Sequence, residues 1–170
     1  MNIILRYIDV CLFKAGPADM PASNRVLLMT LLSYVLINII VSQTEYSLNA
    51  SLFTSIADLL FMLLTVTLLL KLRAKQSRLN QTLSALAGSS CCMAIVSLPA
   101  VIWFSGIAEA EQASSYAMIF LVGFMFWSLM VMSHIFRQAL EVKAGVATAI
   151  TVVYVTLSLL VFGITMSGVA

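Results

Sequence analysis

The chain has 170 residues, 62% of them hydrophobic and 9% charged, with a mean hydropathy of +1.06. A soluble domain is about 45–50% apolar and about 25% charged, so lipid is the solvent for most of this surface. The length leaves room for one bundle and no second soluble domain, and the formal net charge of +2 conceals a sorting of charges by side. The basic residues sit in short loops without a basic aromatic face, which argues against nucleic acid as a partner.

The first unit covers residues 3–13. Ile3, Ile4, Tyr7, Ile8, Cys11 and Leu12 recur at helical spacing, with Asn2, Arg6 and Asp9 on the other side. The run is shorter than the about 20 apolar residues a spanning helix needs. An amphipathic helix lying in the membrane interface fits it. Charges interrupt the apolar run, and Gly16, Pro17 and Pro21 follow it, a pattern unlike a secretory signal peptide. The prolines break the helix and turn the chain. Residues 1–22 therefore read as an interfacial helix and turn, and 23–170 as a single five-helix transmembrane domain.

Five apolar runs follow, over residues 26–42, 51–70, 79–104, 115–136 and 144–166. Ser23 and Asn24 cap the first span, with Arg25 as an interface anchor. Gln43 to Ala50 forms a polar loop carrying Glu45 and Tyr46. Lys71, Arg73, Lys75 and Arg78, four of the nine basic residues, fill the loop before the third span. That span holds Pro99 and the interface residue Trp103 near its far end, and a second polar loop carries Gly106, Glu109, Glu111 and Gln112. Arg137 to Lys143 reads as a short turn before the last span.

Alternating five spans puts the N-terminus, the 71–78 loop and the 137–143 turn on one side. That side then holds all nine basic residues, and the other holds Glu45, Glu109 and Glu111 with no basic residue. Four or six spans would spoil the partition, so the charges support the span count. The positive-inside rule places the basic side and the N-terminus in the cytoplasm and the C-terminus outside.

Asp58 is the one acidic residue well inside a span, roughly 10 Å from the outer surface at 1.5 Å per residue. A carboxylate at that depth is expensive and must face protein or water. Thr54, Ser55, Asp58, Met62 and Thr65 share a face of span two, and Thr30, Tyr34 and Asn38 recur every fourth residue of span one. Two readings are open. Asp58 is a proton or cation carrier with Asn38 or Tyr34 as hydrogen-bond partner, or it is a structural residue pinning the two spans.

On span four, Phe120, Phe124, Trp127, Val131 and His134 trace a stripe, a pattern that packing produces more often than a cofactor site. His134 has neither a second His nor a nearby Cys, so no metal is expected. Span three begins with small residues at four-residue intervals, Ser84, Gly88 and Cys92, which lets another helix approach closely. That helix lies within the chain or in a second copy. Cys91 and Cys92 are adjacent and mid-span, and with Cys11 they read as reduced thiols acting as small apolar residues. The sequence has no thiol pair near the outer surface, no Ser–His or double-Asp intramembrane pair, no Arg or His in the outer loops, and no phosphate-binding glycine pattern. It reads as a non-enzymatic protein without a cofactor.

Leu12-Phe13-Lys14-Ala15-Gly16-Pro17 with Pro21, the stretch Gln81 to Gly88, and Trp127-Ser128-Leu129 with Ser133-His134-Ile135-Phe136-Arg137 accompany the five-span plan. Together they resemble the Yip (Ypt-interacting) family, and more specifically a small bacterial group related to it. The resemblance implies the five-span fold, a bacterial inner membrane and, by analogy with eukaryotic members, contact with small GTPases in membrane traffic. Three functions are thus open. The first is a scaffold or accessory subunit contacting other membrane proteins, itself or anionic lipid, with Lys71, Arg73, Lys75 and Arg78 meeting headgroups. The second is a small transporter or ion-coupled carrier using Asp58. The third is a Yip-like trafficking partner.

Overall fold

The computed structural model describes residues 2–43, 46–106 and 111–169, and among them every regular element is helical. The order is α1 (Ile3–Cys11), a 3-10 turn (Pro17–Asp19), α2 (Asn24–Ser42), α3 (Leu48–Leu72), a second 3-10 turn (Gln76–Arg78), α4 (Leu79–Gly106), α5 (Glu111–Leu140) and α6 (Ala144–Val169). Helices α2 to α6 are each long and apolar enough to cross a membrane. The chain is an all-α, multi-pass membrane protein. Its outer surface is aliphatic, as a lipid-facing surface must be: Leu28, Met29, Leu32 and Leu36 of α2 and Leu60, Leu64 and Leu68 of α3 all stand exposed.

Helix α4 is the centre. It touches α1, α2, α3 and α5, while α6 packs on α3 and α5, and α4 is the most buried of the five spans. Its first three turns supply the reason. Ser84, Ala85 and Ala87 are fully buried, with Thr82, Leu83 and Leu86 nearly so, and small side chains let backbones approach where no hydrophobic force drives helices together.

Helices α2, α4 and α6 start at one end of the bundle, and α3 and α5 return to it. Asn80 Nδ2 donates to Asn24 Oδ1 at 2.6 Å, and Gln81 Nε2 donates to Met20 O at 2.9 Å. This end carries the basic residues. At the other end, Glu45, Glu109 and the side chain of Glu111 lie outside the described residues. Two expected details change. Ser23 precedes α2 without a side-chain cap bond, and Asn24 is already helical and tied to α4. The turn expected at 137–143 shrinks, because α5 continues to Leu140. Arg137 and Gln138 are polar enough to read as loop, yet a cation in the last helical turn meets the negative end of the helix dipole.

Helices α1, α3 and α5 end at the basic end in the same way. Phe13, Ala74 and Glu141 adopt positive φ of 61°, 52° and 52°. The following amides reach back to the helix, Lys14 N to Asp9 O, Lys75 N to Leu70 O and Val142 N to Arg137 O. Left-handed residues that close a helix this way are usually glycine, and a side chain there costs about 1–2 kcal/mol. Ala74→Gly removes that strain at an exposed position. After the entropy glycine adds to the unfolded chain, it is expected to raise the thermal midpoint in detergent by a few degrees, read by fluorescence.

Helix α1 does more than lie on the surface. The apolar residues expected on one face divide between two. Tyr7, Val10 and Cys11 are buried against the bundle, while Ile4, Leu5, Ile8 and Leu12 point outward. Asn2, Arg6 and Asp9 line a polar recess with Lys14 and Asp19, and Arg6 donates to the Asp19 carbonyl. A helix in the interface plane with one flank against protein accounts for all three faces.

Candidate intramembrane polar site

Asp58 is the eleventh residue of the 25-residue α3. The helix starts at Leu48, three residues earlier than expected, so Asp58 lies about 15 Å along it rather than about 10 Å. The side chain that meets it is Tyr34 of α2, whose buried hydroxyl donates to Asp58 Oδ2. Asn38 takes a different role. Its amide is satisfied within its own helix, donating to Tyr34 O at 3.0 Å, because an amide one turn further along reaches the carbonyl behind it.

Asn38 and Asp58 both line a cavity of about 240 Å³ between α2, α3 and α6. Its other polar walls are Ser42, Thr54, Ser55 and Ser158, and Phe162 closes one side, with Tyr46 set against the Phe162 ring at 6.0 Å. Hydroxyls inside membrane helices ordinarily bond a carbonyl of the preceding turn. Thr54 does so, with Oγ1 2.8 Å from Ala50 O. Ser55 does not. It is 2% exposed, and its Oγ has no hydrogen-bond partner among the described residues.

All nine Lys and Arg residues sit at the basic end, so no basic side chain among the described residues neutralises a charge on Asp58. Burying an unpaired carboxylate at such a depth costs about 2.5–3.5 kcal/mol on insertion scales. The arrangement can therefore hold a proton on Asp58, or a small cation with the carboxylate and surrounding hydroxyls as oxygen donors.

The basic loop is divided. Lys75 Nζ and Arg78 Nη2 bind Glu141 at 2.6 and 2.7 Å, and Arg78 also donates to Gln138 O at 3.3 Å. Two of the four cations proposed for headgroups thus clamp α3 and α4 to the end of α5. Lys71 and Arg73 have no ion-pair partner among the described residues. Lys75, and after it Arg78, holds the exposed Glu141 carboxyl below its usual range. A carboxyl depressed in the folded state stabilises it above the unfolded pKa, and that contribution is lost as pH falls through the folded value. Wild-type protein is therefore expected to lose thermal stability in acid slightly faster than Glu141→Gln. In molar salt, where the Debye length is about 3 Å, the two profiles should converge.

The small-residue stripe has its partner in α1. A Cβ at Gly88 would overlap the ring of Tyr7, whose hydroxyl lies 2.7 Å from Thr30 Oγ1 of α2. The Cys11 thiol donates to Ser89 O at 3.8 Å, and the neighbouring Cys92 thiol together with burial holds Cys11 above the ordinary thiol range. Ser84 is fully buried on the same stripe. The rest of the turn after α1 rests on α5. Trp127 Nε1 donates to Cys11 O at 3.2 Å, His134 Nε2 lies 3.1 Å from Ala15 O, and the Phe13 and His134 rings meet edge to face at 5.3 Å. Residues 12–17, the 81–88 stretch and the 127–137 segment thus converge on one place. The aromatic stripe on α5 is part of that packing, Phe124 bridging Phe120 and Trp127.

Sequence reasoning missed Ser42, Ser158, Phe162 and Glu141. Glu141 had a signal, being the lone acid between two basic segments. Ser158 had none, since hydroxyls recur throughout α6. Comparison with protein-family models, curated proteins and solved structures gives no match for this chain.

Proposed function

We propose that the chain is a small, non-enzymatic, cation-linked carrier of a bacterial inner membrane, taking up a proton or small cation at Asp58. The nine-to-zero partition of basic residues supports an orientation with the N-terminus in the cytoplasm and the C-terminus outside. The observation that carries the reading is the cavity in which Asn38, Ser42, Thr54, Ser55 and Ser158 surround the single intramembrane carboxyl. A structural pin between α2 and α3 needs only the Tyr34–Asp58 bond. It does not need an open volume walled by hydroxyls beside it. The lone acid is also the kind of residue that marks ion and proton paths in membranes.

The test is reconstitution in liposomes holding a pH-sensitive dye, challenged with gradients of Na⁺, K⁺ or methylammonium. Wild-type protein is expected to give a dye response to at least one gradient, and Asp58→Asn to abolish it while remaining folded. Equal responses from the two proteins, or none from wild type, would sink the proposal. The chain would then return to the scaffold or Yip-like reading, in which Asp58 has no chemical duty.

A further inference from the structure

A second cavity, of about 460 Å³, lies between α5 and α6 at the basic end. Its mouth is formed by Arg137, Ala144, Ser133 and Thr148, and its inner wall by Phe126, Leu129, Met130 and Val152. Phe126, Met130 and Val152 are each more than half exposed, so the groove opens sideways into the bilayer. Phe126 lies three helical turns from Arg137, about 16 Å deeper at 1.5 Å per residue. Arg137 stands exposed without an acidic partner among the described residues. The hydroxyls of Ser133 and Thr148 sit 3.1 Å apart across the two helices. His134 is turned the other way, toward Ala15 O, and serves as wall.

We infer that this groove is a binding site for an anionic phospholipid. The phosphate pairs with Arg137, the bridged hydroxyls meet the glycerol region, and one acyl chain runs down along Met130, Phe126 and Val152. Charge and polarity change along the groove in the order an amphiphile requires. A guanidinium matches phosphate geometry with paired N–H donors, whereas a helix from another protein would leave Arg137 unpaired unless it brought an acid to that depth. The site is separate from Asp58 and stands whether or not the carrier reading does.

The experiment is native mass spectrometry of the full chain purified from mixed vesicles of palmitoyl-oleoyl phosphatidylglycerol and phosphatidylcholine. Wild type is expected to retain one phosphatidylglycerol in preference to phosphatidylcholine. Arg137→Gln should cut that preference about fivefold, the effect of one cation near an anionic headgroup. Val152→Trp fills the groove and leaves Arg137 in place, and should lose the bound lipid altogether. Arg73→Gln removes an exposed cation outside the groove and should change nothing. The inference fails if Arg73→Gln lowers the preference as much as Arg137→Gln, if Val152→Trp retains the lipid, or if wild type emerges as a lipid-free dimer.

Discussion

Gly88→Leu detaches α1 from the bundle while the five spans stay assembled. A Cβ at that position has no room, because the atoms it meets are ring carbons of Tyr7, and the ring is held from its far end by Thr30. Even Gly88→Ala forces a shift, and overpacking of this kind costs about 1–3 kcal/mol. Leucine adds three more carbons, beyond what a nine-residue helix held on one flank can absorb. Cys11 reports the outcome. Its thiol is buried and donates to Ser89 O, with its pKa raised by the neighbouring Cys92 and by burial, and only the thiolate reacts with maleimides. Labelling located by mass spectrometry is expected to be slow at Cys11 in wild type and at least tenfold faster in Gly88→Leu. Pairing Gly88→Ala with Tyr7→Leu should restore slow labelling, since the smaller side chain vacates the overlap. Fast labelling of wild-type Cys11 would show that α1 is not docked.

How much of this could be read in the residues differs from feature to feature, for physical reasons. The five spans were legible because membrane crossing demands an apolar run near 20 residues and little else. Gly88 and its small neighbours were legible as a close-approach surface. Their partner was not, because α1 is too short to register as a bundle helix. Its Tyr7 also shares a heptad face with residues that in fact point to lipid. Tyr34 and Asn38 were both legible as mates for Asp58 from the four-residue recurrence on span one, but Asn38, the one matched in depth, spends its amide on its own helix. Counting only cations on the basic side hid Glu141, which binds two of them. The cavity itself depends on how α6 leans against α3, a tertiary property to which no local pattern in α6 points.

Asp58 and Tyr34 separate stability from function when taken as a cycle. Tyr34→Phe leaves the carboxyl one donor short in an apolar surrounding. Interhelical hydrogen bonds in membranes average about 0.6 kcal/mol and reach about 1.7, so the thermal midpoint should fall modestly. Asp58→Asn keeps an oxygen acceptor for the Tyr34 hydroxyl and should cost less. Asp58→Leu alone strands that hydroxyl and should cost more than Asp58→Asn, since an unpaired buried donor loses its full solvation, about 1–3 kcal/mol. Combining Asp58→Leu with Tyr34→Phe replaces both partners by apolar groups, and stability should return most of the way to wild type. Cation-linked signal should follow a different order. It should survive in Tyr34→Phe, with a changed pH dependence, and vanish in every protein without the Asp58 carboxyl, including the stable double variant. A double variant that regains both stability and signal would identify the pair as a pin between α2 and α3. Stability regained without signal assigns the carboxyl a chemical task that packing cannot replace.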